Sequence, residues 1–214
     1  MGVYRLHYFP ESGNSYKLAL MLQFCRQEFE LVWVDFGSRI TFTQDWRLNL
    51  NAMGEIPVLE VDGAVLTQTA PLLMRLSKKY NQFGGVNEQE DFDIQRWLFW
   101  DNQKLSGHLA TYRFMRTFTE RPNQEVLKYL RKRIDDFLNI LELQVTDKPF
   151  VIGERPTIVD ISLCAYLSYP SVETGYDLAT SHPKIQAWLT RISELPFWIT
   201  QYDLLPGKRL KQYA

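Results

Sequence analysis

The sequence predicts an α+β fold in which a small mixed sheet with helices is followed by a largely helical second part. Short β-forming runs and helical runs alternate through the first 80 residues. After residue 88, apolar residues recur at helical spacing almost throughout. We therefore predict a first domain at 1–80, a linker at 81–88 and an all-helical domain at 89–214.

The first domain begins with a pattern typical of a strand, a helix and a second strand. Strands are expected at residues 3–9 and 31–34, where β-forming residues cluster. Between them, apolar residues fall at helical spacing, and we expect a helix of about three turns that starts at Ser15. A short helix is expected at 44–50.

A hairpin and a third helix complete the predicted β-α-β-α-β-β-α order. Two β-rich runs at 56–61 and 64–67 flank Asp62-Gly63, a dipeptide that strongly favours a two-residue hairpin turn. Thr69 can then cap a helix. Pro71 falls in the first turn of that helix, where a missing N–H costs little.

The second part of the chain is expected to be helical, with a recognisable helix start near its middle. Thr157 and Asp160 have the spacing of a capping box, in which a hydroxyl and a carboxylate satisfy backbone N–H groups. The predicted helices lie at 89–117, 123–146, 157–168 and 182–195.

Composition excludes several functional classes. The chain has 24 Lys and Arg against 25 Asp and Glu, so no broad basic face for nucleic acid is expected. No stretch approaches the roughly 20 apolar residues of a membrane helix, and no signal-peptide pattern is present, so we expect a cytoplasmic protein. His7, His108 and His182 are too scattered for a metal site, and Cys25 and Cys164 form no Cys-x-x-Cys pair.

Four local motifs occur in order along the chain. They are Ser12-Gly-Asn-Ser-Tyr-Lys, Asn51-Ala-Met-Gly-Glu-Ile-Pro-Val-Leu, Leu66-Thr-Gln-Thr and Gly153-Glu-Arg-Pro-Thr-Ile-Val-Asp. Together, in this order and spacing, they resemble the soluble, bacterial-like glutathione S-transferases with a serine-type active site. The resemblance implies a thioredoxin-like first domain that binds glutathione and a helical second domain that contributes the site for an electrophile.

The resemblance assigns glutathione contacts to two of these motifs. It implies that Pro57 is cis and that the backbone of Ile56 pairs with the cysteinyl part of glutathione. It also implies that Gln68 and Thr69 bind the γ-glutamyl group, at a helix start that favours a carboxylate. Glutathione would be a co-substrate, with no permanently bound cofactor.

One position departs from the family pattern. Glu55 stands where relatives often have a basic or amide residue, so the contact to the glycyl end of glutathione is in doubt. Arg39 and Arg47 are candidates to compensate, but the sequence does not place them.

Ser12 is the candidate that stabilises the glutathione thiolate. A free thiol has a pKa of about 8.5, and lowering it by about two units takes roughly 2.7 kcal/mol. One hydrogen bond to a charged acceptor contributes about 1.5–3 kcal/mol, so a hydroxyl beside a helix N-terminus could suffice. Asn14 could donate a second hydrogen bond, Ser15 is expected to cap the helix, and Tyr8 is the alternative catalyst.

The same residues also fit a purely structural role. Ser, Gly and Asn are common in turns and helix caps, and strand-end tyrosines commonly pack in cores. For the second substrate, a small hydrophobic electrophile, we expect contacts from Tyr112, Arg113 and Arg116, where two arginines interrupt an apolar helical pattern. Trp97 is expected in the core.

Three functions are compatible with these residues. The first is a glutathione transferase of the detoxification type, and family members are commonly homodimers. The second is a glutathione-dependent disulfide reductase or peroxidase with two glutathione molecules, which Asn14 slightly favours. The third is a non-catalytic binding or regulatory module, which Glu55 favours.

Overall fold

A four-stranded mixed sheet organises the first part of the chain. The structure is a computed structural model that describes residues 3–213. The strands are β1 (Tyr4–Tyr8), β2 (Phe29–Trp33), β3 (Val58–Val61) and β4 (Ala64–Thr67). Their order is β2-β1-β3-β4, in which β1 and β2 are parallel and the other pairs are antiparallel. The register aligns Leu31, Leu6, Leu59 and Leu66 across the sheet, so one row of leucines crosses all four strands.

Three helices accompany this sheet. They are α1 (Gly13–Phe24), α2 (Gln44–Asn49) and α3 (Thr69–Tyr80), and short 3-10 turns occur at Phe36–Ser38 and Ile40–Phe42. Helix α1 joins the parallel strands β1 and β2, as a crossover must. Leu18, Leu20 and Met21 of α1 are fully buried, so this helix forms much of the core beside the sheet.

The predicted β-α-β-α-β-β-α order is confirmed, but two helix caps differ from the prediction. Ser12, and not Ser15, caps α1, because Ser12 has extended backbone angles and its side chain accepts the N–H of Ser15. Gln68, and not Thr69, precedes the first residue of α3, since Thr69 is already helical.

The second part of the chain is helical, as predicted. Its helices are α4 (Glu88–Trp100), α5 (Ser106–Phe118), α6 (Gln124–Gln144), α7 (Ile158–Leu167), α8 (Ser171–Thr174), α9 (Leu178–Ser181) and α10 (Pro183–Ser193). A π-helical turn at Asp101–Leu105 separates α4 from α5. The buried Asp101 carboxylate there accepts hydrogen bonds from Ser106 at 2.7 Å and Ser162 at 2.6 Å. Within residues 3–213, no helix is long and apolar enough to cross a membrane.

The chain forms two compact units. The sheet unit joins residues 3–82 with Pro196–Leu210, and the helical unit joins Phe83–Leu195 with residues 211–213. The sequence-based boundaries place 196–210 in the helical domain, whereas in the structure this segment returns to the sheet unit. It includes the short helix α11 (Gln201–Leu204) and is held in part by the Tyr16 hydroxyl, which donates to the Ile199 carbonyl at 2.7 Å.

The predicted capping box of Thr157 and Asp160 is confirmed at the start of α7. The Asp160 carboxylate is fully buried and accepts the N–H groups of Val151 at 3.0 Å and Thr157 at 2.8 Å. It also accepts the indole N–H of Trp188 at 2.9 Å. Burial raises the pKa of Asp160, and these hydrogen bonds oppose that rise. One carboxylate thus connects α7, α10 and the loop before α7.

Replacing Asp160 with Ala is predicted to lower the free energy of unfolding by about 3 kcal/mol or more, because three buried N–H donors and the Thr157 hydroxyl lose their acceptor. Asp177→Ala is the matched control, since Asp177 caps α9 at an exposed position and its loss should cost about 1 kcal/mol. Denaturant unfolding of both variants measures the difference. Equal losses would contradict the structural role given to Asp160.

Candidate active site

The turn between β1 and α1 is built around Ser12. The Ser12 N–H donates to the Phe9 carbonyl at 3.0 Å, and the Ser12 hydroxyl oxygen accepts the Ser15 N–H at 3.0 Å. The residue is 4% exposed. Because the oxygen serves as the acceptor, the hydrogen of the hydroxyl remains to be donated to another group. An anion beside Ser12 would also meet the positive end of α1, whose first N–H groups lack intrahelical partners.

Asn14 and Ser15 lie on the first turn of α1 in different environments. Asn14 is half-buried, whereas Ser15 is fully buried. Within residues 3–213, the Ser15 hydroxyl has no hydrogen-bond partner. Ser15 therefore faces the packed interior, and Asn14 is the residue of this pair with access to the surface.

Tyr8 lies at the end of β1 and is buried. Its hydroxyl donates to the Pro206 carbonyl in the segment that returns to the sheet unit. Burial raises the pKa of Tyr8, so the hydroxyl stays protonated. Since the proton of Tyr8 is engaged by a carbonyl, Ser12 is the better placed of the two donors.

The loop before β3 contains a cis Ile56–Pro57 peptide bond, as the resemblance implies. The Asn51 side chain organises the loop, because it donates to the Glu55 carbonyl at 3.0 Å and accepts the Met53 N–H at 3.0 Å. Gly54 has a φ of +71°, and a Cβ atom there would lie 2.9 Å from the Thr41 carbonyl oxygen. Glycine is therefore required at this position.

The start of α3 contains a strained residue. Gln68 has a φ of +70°, which is uncommon for a residue other than glycine and often marks a functional site. Its side-chain amide donates to the Glu55 carboxylate at 2.8 Å and lies 2.9 Å from the Met53 sulfur. Glu55 and Gln68, which the sequence assigned to one binding site, are thus in direct contact.

Two arginines that precede Glu55 in the sequence, Arg39 and Arg47, both lie near the Phe42 ring. The guanidinium carbons of Arg39 and Arg47 lie 5.1 Å and 5.8 Å from the centre of the Phe42 ring. A guanidinium nitrogen of Arg47 also lies 3.0 Å from the point where a Cβ of Gly54 would stand. Arg47 is therefore packed against the residue that precedes Glu55. The sequence named both arginines but could not place them.

The residues predicted for the electrophile site have two different environments. Arg113 is 2% exposed, forms an ion pair with Glu173 and stacks on Tyr169 at 3.5 Å. Arg113 thus belongs to the packed interior of the helical unit. Trp97 is also buried, as predicted.

Tyr112 and Arg116 line a cavity of about 580 Å³ in the helical unit. The cavity is rich in cationic side chains, and its other lining residues are Pro122, Gln124, Leu127, Lys128, Arg131, Lys132 and Asp135. Arg131 is already engaged, because it donates to the Gly175 carbonyl at 2.7 Å and stacks on Tyr176 at 3.7 Å.

Sequence reasoning missed two residues beside the candidate site. Glu11 directly precedes Ser12 and is buried, and its carboxylate accepts a hydrogen bond from Arg209 at 2.6 Å. A single glutamate in a turn gives no signal of burial. Its partner lies 198 residues away, beyond the reach of any local pattern.

Comparisons with known proteins agree with this fold. A model of the glutathione S-transferase N-terminal domain matches residues 6–84, and one of the C-terminal domain matches residues 108–203. A glutathione S-transferase structure from Pseudomonas fluorescens is 30% identical with a TM-score of 0.84, and the alignment covers 93% of this chain and 98% of that chain. One from Xanthobacter autotrophicus is 26% identical with a TM-score of 0.85, over 95% of this chain and 97% of that one.

A curated sequence relative supports the same family. A glutathione S-transferase of Arabidopsis thaliana is 26% identical over 223 residues, which covers 92% of this chain and 85% of the relative. The chain belongs to the glutathione S-transferase family. The predicted α+β fold class, the glutathione S-transferase family and the glutathione transferase enzyme class are therefore confirmed.

The two cysteines are predicted to resist alkylation in the native protein. Both are buried thiols, and burial raises the pKa of Cys25 to about 11. At pH 8 about one in a thousand Cys25 thiols would then be the reactive thiolate. Mass spectrometry after iodoacetamide treatment at pH 8 should find both cysteines unmodified in native protein and both alkylated after unfolding. Rapid labelling of either cysteine in the native state would contradict this.

Proposed function

We propose that this chain is a serine-type glutathione transferase in which Ser12 stabilises the thiolate of glutathione. The observation that carries the proposal is the hydrogen bond from the Ser15 N–H to the Ser12 hydroxyl at the start of α1. In this hydrogen bond the Ser12 oxygen is the acceptor, so the hydrogen of the hydroxyl remains to be donated to a ligand sulfur. The protein's own thiols are buried, so the nucleophile comes from the ligand.

The energetics of this arrangement are sufficient for transfer chemistry. A hydrogen bond to a charged acceptor contributes about 1.5–3 kcal/mol, and a helix N-terminus adds about 0.3–1 kcal/mol. Together they can lower the pKa of a bound thiol by about one to three units. The thiol proton is released to solvent on binding. The thiolate then attacks the electrophilic carbon, a C–S bond forms, and the leaving group departs with the electron pair of the broken bond.

We assign the two ends of glutathione to different parts of the sheet unit. The γ-glutamyl carboxylate is placed at the start of α3, where Gln68 is held in a strained conformation and Thr69 offers a hydroxyl and an N–H. The cysteinyl part is placed against the backbone of Ile56, before the cis Pro57. These assignments also follow the family resemblance of both motifs.

The glycyl carboxylate is assigned to Arg47, with Arg39 as a second cation. Glu55, at the position where a basic or amide residue is common in the family, accepts a hydrogen bond from Gln68 and carries the wrong charge for a carboxylate ligand. Arg47 packs against Gly54 beside it. A guanidinium suits a carboxylate because it can donate two parallel hydrogen bonds.

The electrophile is proposed to be a small hydrophobic molecule in contact with Tyr112 and Arg116. Both residues line the cavity of the helical unit. Arg113, which the sequence also assigned to this site, is not part of the proposed contact, because it is buried and ion-paired with Glu173. The protein is further proposed to act in the cytoplasm as a homodimer, as is common in the family.

A second candidate function is the reduction of disulfides or peroxides by two glutathione molecules. Asn14 favours it, because this half-buried amide on the first turn of α1 could donate a second hydrogen bond near the thiolate. Turnover of a glutathione-capped disulfide without turnover of aryl halides would select this function. Failure to bind glutathione would instead favour the third function, a non-catalytic binding or regulatory module.

Ser12→Ala is predicted to lower kcat/KM towards an aryl halide about 10- to 100-fold at neutral pH, because the thiolate loses one charged hydrogen bond. The acidic limb of the pH profile should move to higher pH, since the bound thiol regains a higher pKa. Ser12→Thr keeps the hydroxyl and the cap and should retain most activity. Tyr8→Phe is the matched control and should leave the profile in place. A shift in Tyr8→Phe but not in Ser12→Ala would transfer the role to Tyr8.

Arg47→Ala is predicted to weaken glutathione binding about tenfold, because one charged hydrogen-bond pair to the glycyl carboxylate is lost. Calorimetry with glutathione and with its glycyl monoethyl ester separates this effect from a general disturbance. The variant should bind the ester as the wild type does, since the ester lacks the charge. Arg75→Ala, an exposed arginine on α3, is the control. Equal weakening for both ligands would contradict the assignment.

A further inference from the structure

The Glu55 carboxylate lies at the start of α3 and has no cationic partner within residues 3–213. One of its oxygens accepts a hydrogen bond from the Gln68 side-chain amide at 2.8 Å. Among the described residues, no Lys, Arg or His side chain forms an ion pair with Glu55. The side chain is exposed, so its second oxygen is open to a ligand. A neutral amide leaves the negative charge of Glu55 uncompensated.

Gln68 brings this carboxylate to the first turn of α3. It occupies the N-cap position of α3, but its side chain makes no capping hydrogen bond and extends to Glu55 instead. The first N–H groups of α3 therefore have no side-chain cap from Gln68, and a ligand carboxylate can take that place. An anion-binding helix start and an uncompensated carboxylate thus lie side by side in the sheet unit.

The γ-glutamyl end of glutathione carries two opposite charges on one carbon atom. Its α-carboxylate is assigned above to the start of α3, and its α-ammonium is bonded to the same carbon. An ammonium group has three N–H donors, and it needs acceptors when binding removes it from water. Glu55 is the acidic side chain that contacts Gln68, so it is the group at this helix start that matches the ammonium in charge.

We propose that Glu55 is a specificity-determining residue that binds the α-ammonium of the γ-glutamyl group of glutathione. The charge of Glu55, which does not suit the glycyl carboxylate, suits the opposite end of the same ligand. The inference rests on the proposed function, because it takes the γ-glutamyl carboxylate to lie at the start of α3. It implies that the site selects peptides with a free α-amino group over those that lack one.

A purely structural role for Glu55 makes a different demand on this position. To hold Gln68, position 55 needs only a hydrogen-bond acceptor, and the amide oxygen of a glutamine supplies one. To bind an ammonium group strongly, it needs a negative charge. Glu55→Gln therefore separates the two roles, since it keeps an acceptor for Gln68 and removes the charge.

The test is calorimetric titration of two reduced peptides into the wild-type protein and into Glu55→Gln. The peptides are glutathione and glutaryl-cysteinyl-glycine, which keeps both carboxylates and the thiol but lacks the ammonium group. The wild type should bind glutathione about tenfold more tightly than the glutaryl peptide, because only glutathione forms the charged pair. Glu55→Gln should lose about tenfold in affinity for glutathione and bind the glutaryl peptide at least as tightly as the wild type does.

The matched control is Glu28→Gln, which removes an exposed carboxylate from the same unit. It makes the same change in overall charge and should leave both affinities unchanged. Two results for Glu55→Gln overturn the proposal. One is glutathione binding equal to that of the wild type, and the other is a loss of affinity by the same factor for both peptides.

The wild-type titrations distinguish failure of this inference from failure of the proposed function, and they need no variant to fold. If the wild type binds neither peptide, the proposed function fails and this inference fails with it. If the wild type binds both peptides with equal affinity, glutathione binding stands and the role given to Glu55 alone is overturned.

Discussion

One hydrogen bond, from the Ser15 N–H to the Ser12 hydroxyl, constrains the rest of the site. It starts α1 at the end of β1 and fixes the orientation of the hydroxyl. On the function we propose, the same residue caps the helix and donates a hydrogen bond to the ligand. Structural and functional interpretations of Ser12 are therefore not alternatives, because the cap determines which side of the oxygen remains for a sulfur atom.

A second set of contacts gives the sheet unit an unusual charge arrangement. The Gln68 side-chain amide donates a hydrogen bond to the Glu55 carboxylate, and Arg47 packs against the neighbouring Gly54. A carboxylate beside the cis Pro57 would repel the glycyl end of glutathione unless a cation offsets it. We propose that Arg47 on α2 supplies the positive charge for the glycyl carboxylate, since Glu55 stands where the family resemblance implies a basic or amide residue.

The sequence predicted the order of elements well because periodicity and turn residues report local structure. The hairpin around Asp62-Gly63 and the capping box of Thr157 and Asp160 were both found in this way. The caps of α1 and α3 were misplaced by one to three residues, since several capping residues are adjacent there and only backbone angles distinguish them.

Long-range pairings were beyond sequence reasoning. Arg113 interrupts an apolar pattern, and this signal is the same for a ligand contact and for a buried ion pair such as that with Glu173. The return of Pro206–Leu210 to Glu11 was missed because no local motif encodes a contact between the two ends of a chain. In both cases only the tertiary structure shows which residues are in contact.

The most direct test of the account is the pKa of the glutathione thiol bound to the unmodified protein, followed by thiolate absorbance against pH. The account predicts a value at least about one unit below the value of about 8.5 for a free thiol. A bound thiol that ionises at the same pH as free glutathione would contradict the central claim, because the Ser12 hydroxyl would then contribute nothing to the stability of the anion.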